Sequence, residues 1–385
     1  MFKNKTFNIL ALYYSSIFMA GSIVTAYISI YFSEINFSYS QIGLLNSMGA
    51  FISIVSQPIW GSLSDKSENK NDILKIILIG AVLTVFITPL AKENFILAMT
   101  GVIAFNFFHK AMSPINDTIV MDLSRKYNFK FSTIRLIGSL GYAIMTAIGG
   151  KIVAVKSIYM FYICFFFMLL SFLISFKIPT VKGHKKSKDI KKFLELFKDR
   201  KLVKIYFYVF ILSSTNAFFQ SFHGVYSKEI GIPLELLGIG IMLGSLSQFP
   251  IMFIFDKALK KFGIINLMTL SGLVYGFRWI FYGTLLSSKN ILLIWLIHGF
   301  NYMLLYLCLV DYVQTFVPKE LHTRGQVMNT LTLFGYSSVI GSYLGGQMSK
   351  KIGMGKVFII CGVICLISAI IFNVLENKNY KKYRL

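Results

Sequence analysis

Residues 94–155 read NFILAMTGVIAFNFFHKAMSPINDTIVMDLSRKYNFKFSTIRLIGSLGYAIMTAIGGKIVAV. Two apolar blocks, 94–117 and 133–155, flank a polar turn at roughly 124–131. Each block has the roughly 20 residues a helix needs to cross a hydrocarbon core about 30 Å thick, so the pair reads as two antiparallel membrane helices. Within them stand an acid, Asp117, and a base, Arg135. Asp117 lies seven residues before the turn and Arg135 four after it, about 10 and 6 Å of helical rise. Matched depth lets them pair. An ionisable group near the centre of a membrane helix costs about 2.5–3.5 kcal/mol. Two opposite charges about 4 Å apart gain about 4 kcal/mol at an effective dielectric near 20, which offsets much of that cost.

The same pattern runs outward in both directions. Further apolar blocks lie near 7–32, 40–63, 73–91, 157–177, 202–226, 234–255, 264–286, 290–316, 326–349 and 355–375. With 55% hydrophobic and 14% charged residues and a mean hydropathy of +0.66, the chain lacks the polar surface of a soluble domain, where about 25% of residues are charged. The expectation is an all-α integral membrane protein of twelve transmembrane helices. The first block is too long for a signal peptide and has no small-residue cleavage site behind it, so it is taken as the first helix.

A net charge of +23 could suggest a nucleic-acid partner, but its placement argues for a membrane. With the N-terminus assigned to the cytoplasm, 28 of the 39 Lys and Arg fall on the cytoplasmic side and 8 on the other. Lys110, Arg135 and Arg278 fall inside apolar blocks. That bias predicts a multi-pass protein of the cytoplasmic membrane with both termini inside, and no nucleic-acid partner. The longest polar stretch, 178–200, divides the chain into an N-terminal bundle (1–177) and a C-terminal bundle with a short tail (201–385). Asp65 and Asp256 end the second and eighth blocks, and Gly149-Gly150 and Gly345-Gly346 end the fifth and eleventh. Such offsets near half the chain length suggest duplicated, pseudo-symmetric six-helix halves.

Cys164, Cys308, Cys361 and Cys365 all lie in apolar blocks without the His or further Cys that a metal site needs. No cofactor fingerprint appears, and no Gly-x-x-x-x-Gly-Lys-Ser/Thr loop, which disfavours ATP-driven pumping. No nucleophile–base set suggests an enzyme. A second intramembrane pair repeats the logic of the first. Arg278 and His298 each stand eight or nine residues from a turn at Ser287 to Asn290, with Asn301 one turn beyond. Two cations at one level would repel, so His298 is expected to stay neutral until an anion or solute arrives, and it is suited to proton exchange.

Several motifs carry a resemblance. Gly61-Ser-Leu-Ser-Asp65-Lys66-Ser-Glu-Asn-Lys70 resembles the major facilitator superfamily signature after the second helix, with Glu68 where that family usually has Gly. Asp117…Ser124-Arg-Lys-Tyr-Asn-Phe-Lys-Phe131…Arg135-Leu-Ile-Gly138-Ser-Leu-Gly141-Tyr142 resembles the helix 4–5 hairpin of the lactose permease family. Ser56-Gln-Pro-Ile-Trp-Gly-Ser-Leu-Ser-Asp65 resembles its second helix. Arg278-Trp279…His298-Gly299…Arg324-Gly-Gln326 resembles the neighbouring branch of phenylpropionate permeases and nucleoside symporters.

The resemblance implies the major facilitator fold and a secondary transporter, monomeric, that alternates access around a central site. It implies that Asp117 accepts hydrogen bonds from solute hydroxyls, that Arg135 braces both, and that Tyr142 stacks a ring on the solute. Gln220, Gln248, Arg278 and Asn301 would complete the site, Asp117 or His298 would carry a coupling proton, and Gly61, Asp65 and Lys66 would gate. Asn301 replaces the family's proton-cycling carboxylate, so the lactose-type relay does not transfer whole. Ser245, Ala217, Gln220 and Phe334 likewise stand where that family has charged side chains. Lys110, seven residues before Asp117, either adds cavity charge or snorkels to the outer interface. The expected solute is a sugar, oligosaccharide or nucleoside; the alternatives are an organic-anion carrier or a drug exporter of the same fold, and, ranked below these, a non-transporting membrane sensor.

Overall fold

The computed structural model describes residues 5–183, 200–284 and 290–381. These form twelve helical stretches: α1 (Lys5–Glu34), α2 (Tyr39–Lys66), α3 (Lys70–Leu90), α4 (Phe95–Lys126), α5 (Phe131–Val155) and α6 (Tyr159–Ser175), then α7 (Arg200–Glu229), α8 (Leu234–Phe262), α9 (Ile264–Gly283), α10 (Ile291–Phe316), α11 (residues 322–352) and α12 (Met354–Lys381). Ten are long and apolar enough to cross a membrane; α6 is apolar but shorter, and α11 is interrupted. Residues 287–289 of the expected turn and 184–199 of the 178–200 stretch lie outside the described residues. The chain divides into two compact units, Met1–Ser187 and Lys188–Leu385.

The distribution of side chains is that of a protein solvated by lipid. Leu83, Ile96, Val155 and Phe253 are exposed, Phe253 at 83%, while Ser16, Asn116, Thr215, Arg278 and Asn301 are buried. Oil on the outside and hydrogen-bonded polar groups within is what a bilayer selects.

Local sequence sets the helix limits. Ser38 caps α2 in a capping box, its backbone N–H donating to Gln41 Oε1 at 2.9 Å and its hydroxyl accepting from Gln41 N at 3.4 Å. Gly263 (φ 77°) and Gly353 (φ 83°) are single residues between successive helices, where the left-handed backbone favours glycine. Breaks follow the prolines. A proline ring clashes with the carbonyl four residues back and offers no N–H to it. Pro89, Pro114 and Pro250 accordingly sit four residues after Val85, Lys110 and Leu246, at the breaks at 85–86, 110–111 and 247. In α10 and α11 the irregularity is a π turn, at Gly299–Met303 and Leu331–Gly335.

Within each unit the first helix runs against the fifth and sixth of that unit. In the first unit Gly141 of α5 lies on Ser15, Tyr27 donates to the Thr146 carbonyl at 2.5 Å, and Ser16 and Ser171 hydroxyls meet at 2.7 Å. In the second unit Gly341 of α11 lies against the Ser214 backbone, Ser221 meets Ser342 at 2.8 Å, and Thr215 meets Cys365 at 3.3 Å. Small residues permit these close approaches where hydrophobic association supplies no drive.

Two boundaries differ from expectation. α2 continues through Lys66, so Gly61 and Asp65 are helical rather than in a loop; Lys66 in the last turn suits the negative end of the helix dipole. The α4–α5 turn is only residues 127–130, tightened by Asn128 in the left-handed region (φ 55°), a conformation asparagine tolerates.

Candidate functional site

In the first unit Asp117 is held by two helices. Arg135 Nη1 of α5 donates to Asp117 Oδ2 at 3.2 Å, and the Tyr14 hydroxyl of α1 donates to Oδ1 at 2.6 Å. The adjacent residues repeat the contact, Tyr13 donating to Asn116 Oδ1 at 2.7 Å. Because the true turn is shorter, Asp117 stands deeper than Arg135, and the long arginine side chain spans the difference. Phe18 stacks on Tyr14 at 5.8 Å and lies over Gly138. Asp117 is 27% exposed and Arg135 55%. A carboxylate has about four lone-pair positions and a guanidinium five N–H donors, so both keep capacity for a further partner. As a staple such an exposed pair is worth at most about 1 kcal/mol.

Tyr14, Tyr13 and Asn116 were not singled out from sequence. The signal was the doublet Tyr13-Tyr14 in an apolar helix facing the doublet Asn116-Asp117, but tyrosines there read first as packing. Tyr142 is seven residues beyond Arg135, about 10 Å of rise, and is not joined to the pair. Lys110 stands at the break at 110–111, between the two helical segments of α4, so it and Asp117 are not on one unbroken run of helix.

Asp65 and Lys66 line a cleft of about 360 Å³ with Ser67, Glu68, Asn69, Lys182 and Gly183. Its wall is built by the chain after α6. Asn71 accepts from Val181 N at 3.0 Å and donates to the Ile178 and Pro179 carbonyls at 3.2 and 3.1 Å. The buried Lys70 bridges to Asp122 at 3.2 Å.

In the second unit Arg278 of α9 is 2% exposed. Its Nε donates to the Ile294 carbonyl at 2.8 Å, and its Nη1 donates to His298 Nδ1 at 3.2 Å and to Asn301 Oδ1 at 3.4 Å. A guanidinium only donates, so Nδ1 is the acceptor and His298 is the neutral tautomer carrying its proton on Nε2. The guanidinium lies over Phe219, Trp279 and Trp295 at 4.5, 4.7 and 5.6 Å, contacts that favour a desolvated cation. The ring of His298 stacks on Tyr302 at 5.4 Å. His298 immediately precedes the π turn and Asn301 lies at its centre, a distortion common at functional sites. The turn is accommodated because Gly299 lies directly on the Ser247 backbone and donates to Ser247 Oγ at 2.9 Å; a Cβ there would overlap the Ser247 carbonyl. Gln248 flanks that crossing. Gln220 is exposed on α7 and is not drawn into the cluster.

Comparison with known proteins gives the pattern its context. The uncharacterized transporter YwbF of Bacillus subtilis (strain 168) is 23% identical over 364 residues, covering 92% of this chain and 89% of that one. Lactose permease of Citrobacter freundii is 24% identical over 363 residues, covering 87% and 86%. The crystal structure of nucleoside transporter NupG superposes with a TM-score of 0.85 at 14% identity, covering 96% of this chain and 98% of that one, a likeness of fold. Such relatives are permeases and transporters, not enzymes. Residues 7–381 match the MFS_1 like family, and with its all-α membrane-transporter fold the chain belongs to that family.

Proposed function

We propose that this chain is a secondary carrier that moves a small polar organic solute (a sugar, oligosaccharide or nucleoside) across the cytoplasmic membrane by alternating access, coupled to a proton. In this reading all twelve helical stretches cross the bilayer, both termini are cytoplasmic, and the monomer is the working unit. The observation that carries it is the Tyr14–Asp117–Arg135 triad. An acid and a base within a membrane helix pair are costly, and an exposed pair returns little stability, so the spare hydrogen-bonding capacity of Asp117 and Arg135 is what the chain gains by keeping them. Neutral hydroxylated solutes suit a carboxylate acceptor beside a guanidinium donor. The proton would reside on Asp117 or His298, and Gly61, Asp65 and Lys66 would gate.

A thermal-stabilisation screen of the purified protein with neutral disaccharides and nucleosides tests this. At least one should raise the Tm of the wild type and not of Asp117→Asn. A ligand that stabilises both alike would remove Asp117 from the site. An organic-anion carrier is the second reading, favoured by the surroundings of Arg278.

A further inference from the structure

The Arg278 cluster has more donors than acceptors. Nη2 of Arg278, Nδ2 of Asn301 and Nε1 of Trp295 are all buried without a hydrogen-bond partner, and His223 Nδ1 beside them is likewise unmet. The Ile294 carbonyl, His298 Nδ1 and Asn301 Oδ1 already face the guanidinium, and the Asn301 carbonyl accepts from Ser271 at 2.6 Å, which leaves the His223 ring nitrogen open beside them. Among the described residues no carboxylate forms an ion pair with Arg278. A buried cation without a counter-charge and buried N–H groups without acceptors are both costly, and one acceptor of negative charge would relieve both. Asn301 Oδ1 lies 3.4 Å from Arg278 Nη1 and the Trp295 ring centroid lies 5.6 Å from the guanidinium carbon, so the three donors belong to one buried cluster. The π turn carrying Asn301 is the wall least bound to regular helical geometry.

We infer that Arg278, Asn301 and Trp295 form a binding site for a compact monovalent anion, either the carboxylate of an organic solute or a free halide. The site is distinct from the Asp117 triad, and where it concerns a travelling solute the inference rests on the carrier reading.

Thermal unfolding of the full chain in detergent, at constant ionic strength, tests this with benzoate, its uncharged isostere benzamide, and chloride. Benzoate, chloride or both should raise the Tm by about 2–4 °C at roughly five times the dissociation constant, and benzamide should not. A shift with benzoate alone identifies a carboxylate site, and with chloride alone a halide site. Asn301→Asp supplies the missing charge from within; it should raise the basal Tm and abolish the anion shift. Trp295→Phe, which removes only the indole N–H from the donor set, should weaken anion affinity about fivefold and decides the matter if Asn301→Asp does not fold. No shift with either anion, an equal shift with benzamide, or a wild-type shift retained in Asn301→Asp would overturn the site. Because binding is read without transport and away from Asp117, its failure and failure of the carrier reading are separate results.

Discussion

At the scale of single residues, the O–H···O⁻ bond from Tyr14 to Asp117 is the shorter of the two that hold the carboxylate. Hydrogen bonds to charged groups are worth about 1.5–3 kcal/mol when made in partly dry surroundings. Tyr14→Phe removes that bond and keeps the ring on Phe18, so solute affinity should fall about tenfold, as read by isothermal titration, and the Tm should fall by a few degrees. Unaltered affinity would make Tyr14 a packing residue. Arg135→Lys replaces a planar fork by a point charge and should cost affinity even though the charge is conserved. Asp117 and Arg135 could be paired from sequence because a short turn fixes the relative depth of two helices. Tyr14 could not, because the contact between α1 and α4 crosses a hundred residues and a tyrosine in an apolar helix carries no mark of its partner. The surroundings of Arg278 were half legible. Its spacing to His298 and Asn301 is local, whereas Phe219 arrives from α7 with no signal in the chain.

At the scale of elements, irregular helix geometry positions the polar groups. Gly299 lets α10 touch α8 backbone to backbone at the break that Pro250 causes. Gly299→Ala would drive a methyl group into the Ser247 carbonyl, which cannot swing aside as a side chain does. The Tm should fall by about 2–10 °C, as expected for overpacking of about 1–3 kcal/mol. Gly61→Ala meets nothing within 4 Å and lies inside α2, so the Tm should hold or rise slightly, since alanine favours helix over glycine. A Tm for Gly299→Ala as high as that for Gly61→Ala would show that the α8–α10 crossing is not close-packed. The apolar blocks announced the helices because about 20 residues of oil-soluble chain have few other structures. The breaks at Lys110 and Ser247 were legible in Pro114 and Pro250, four and three residues on. The π turns were not legible, since they arise from packing between helices rather than from any residue within them.

At the scale of the molecule, two units carry related internal packing. Ser15 on Gly141 and Ser214 on Gly341 are equivalent contacts displaced by 199 and 200 residues. The offset seen in Asp65 and Asp256 pointed the same way from sequence, while the pairing of first helix with fifth needed the folded chain. The basic residues bear on orientation. If the Lys and Arg excess marks the cytoplasmic side, Lys182→Cys should react with a membrane-impermeant maleimide only from inside and Lys92→Cys only from outside. Both reacting from one side would overturn the assigned topology.

Solute counterflow in proteoliposomes, comparing wild type with Asp117→Asn in equal amounts of folded protein, bears most directly on the Tyr14–Asp117–Arg135 centre. A carrier that grips its solute through this carboxylate should lose exchange at least about tenfold in Asp117→Asn, the loss of one charged hydrogen bond. Exchange at the wild-type rate in Asp117→Asn would contradict it.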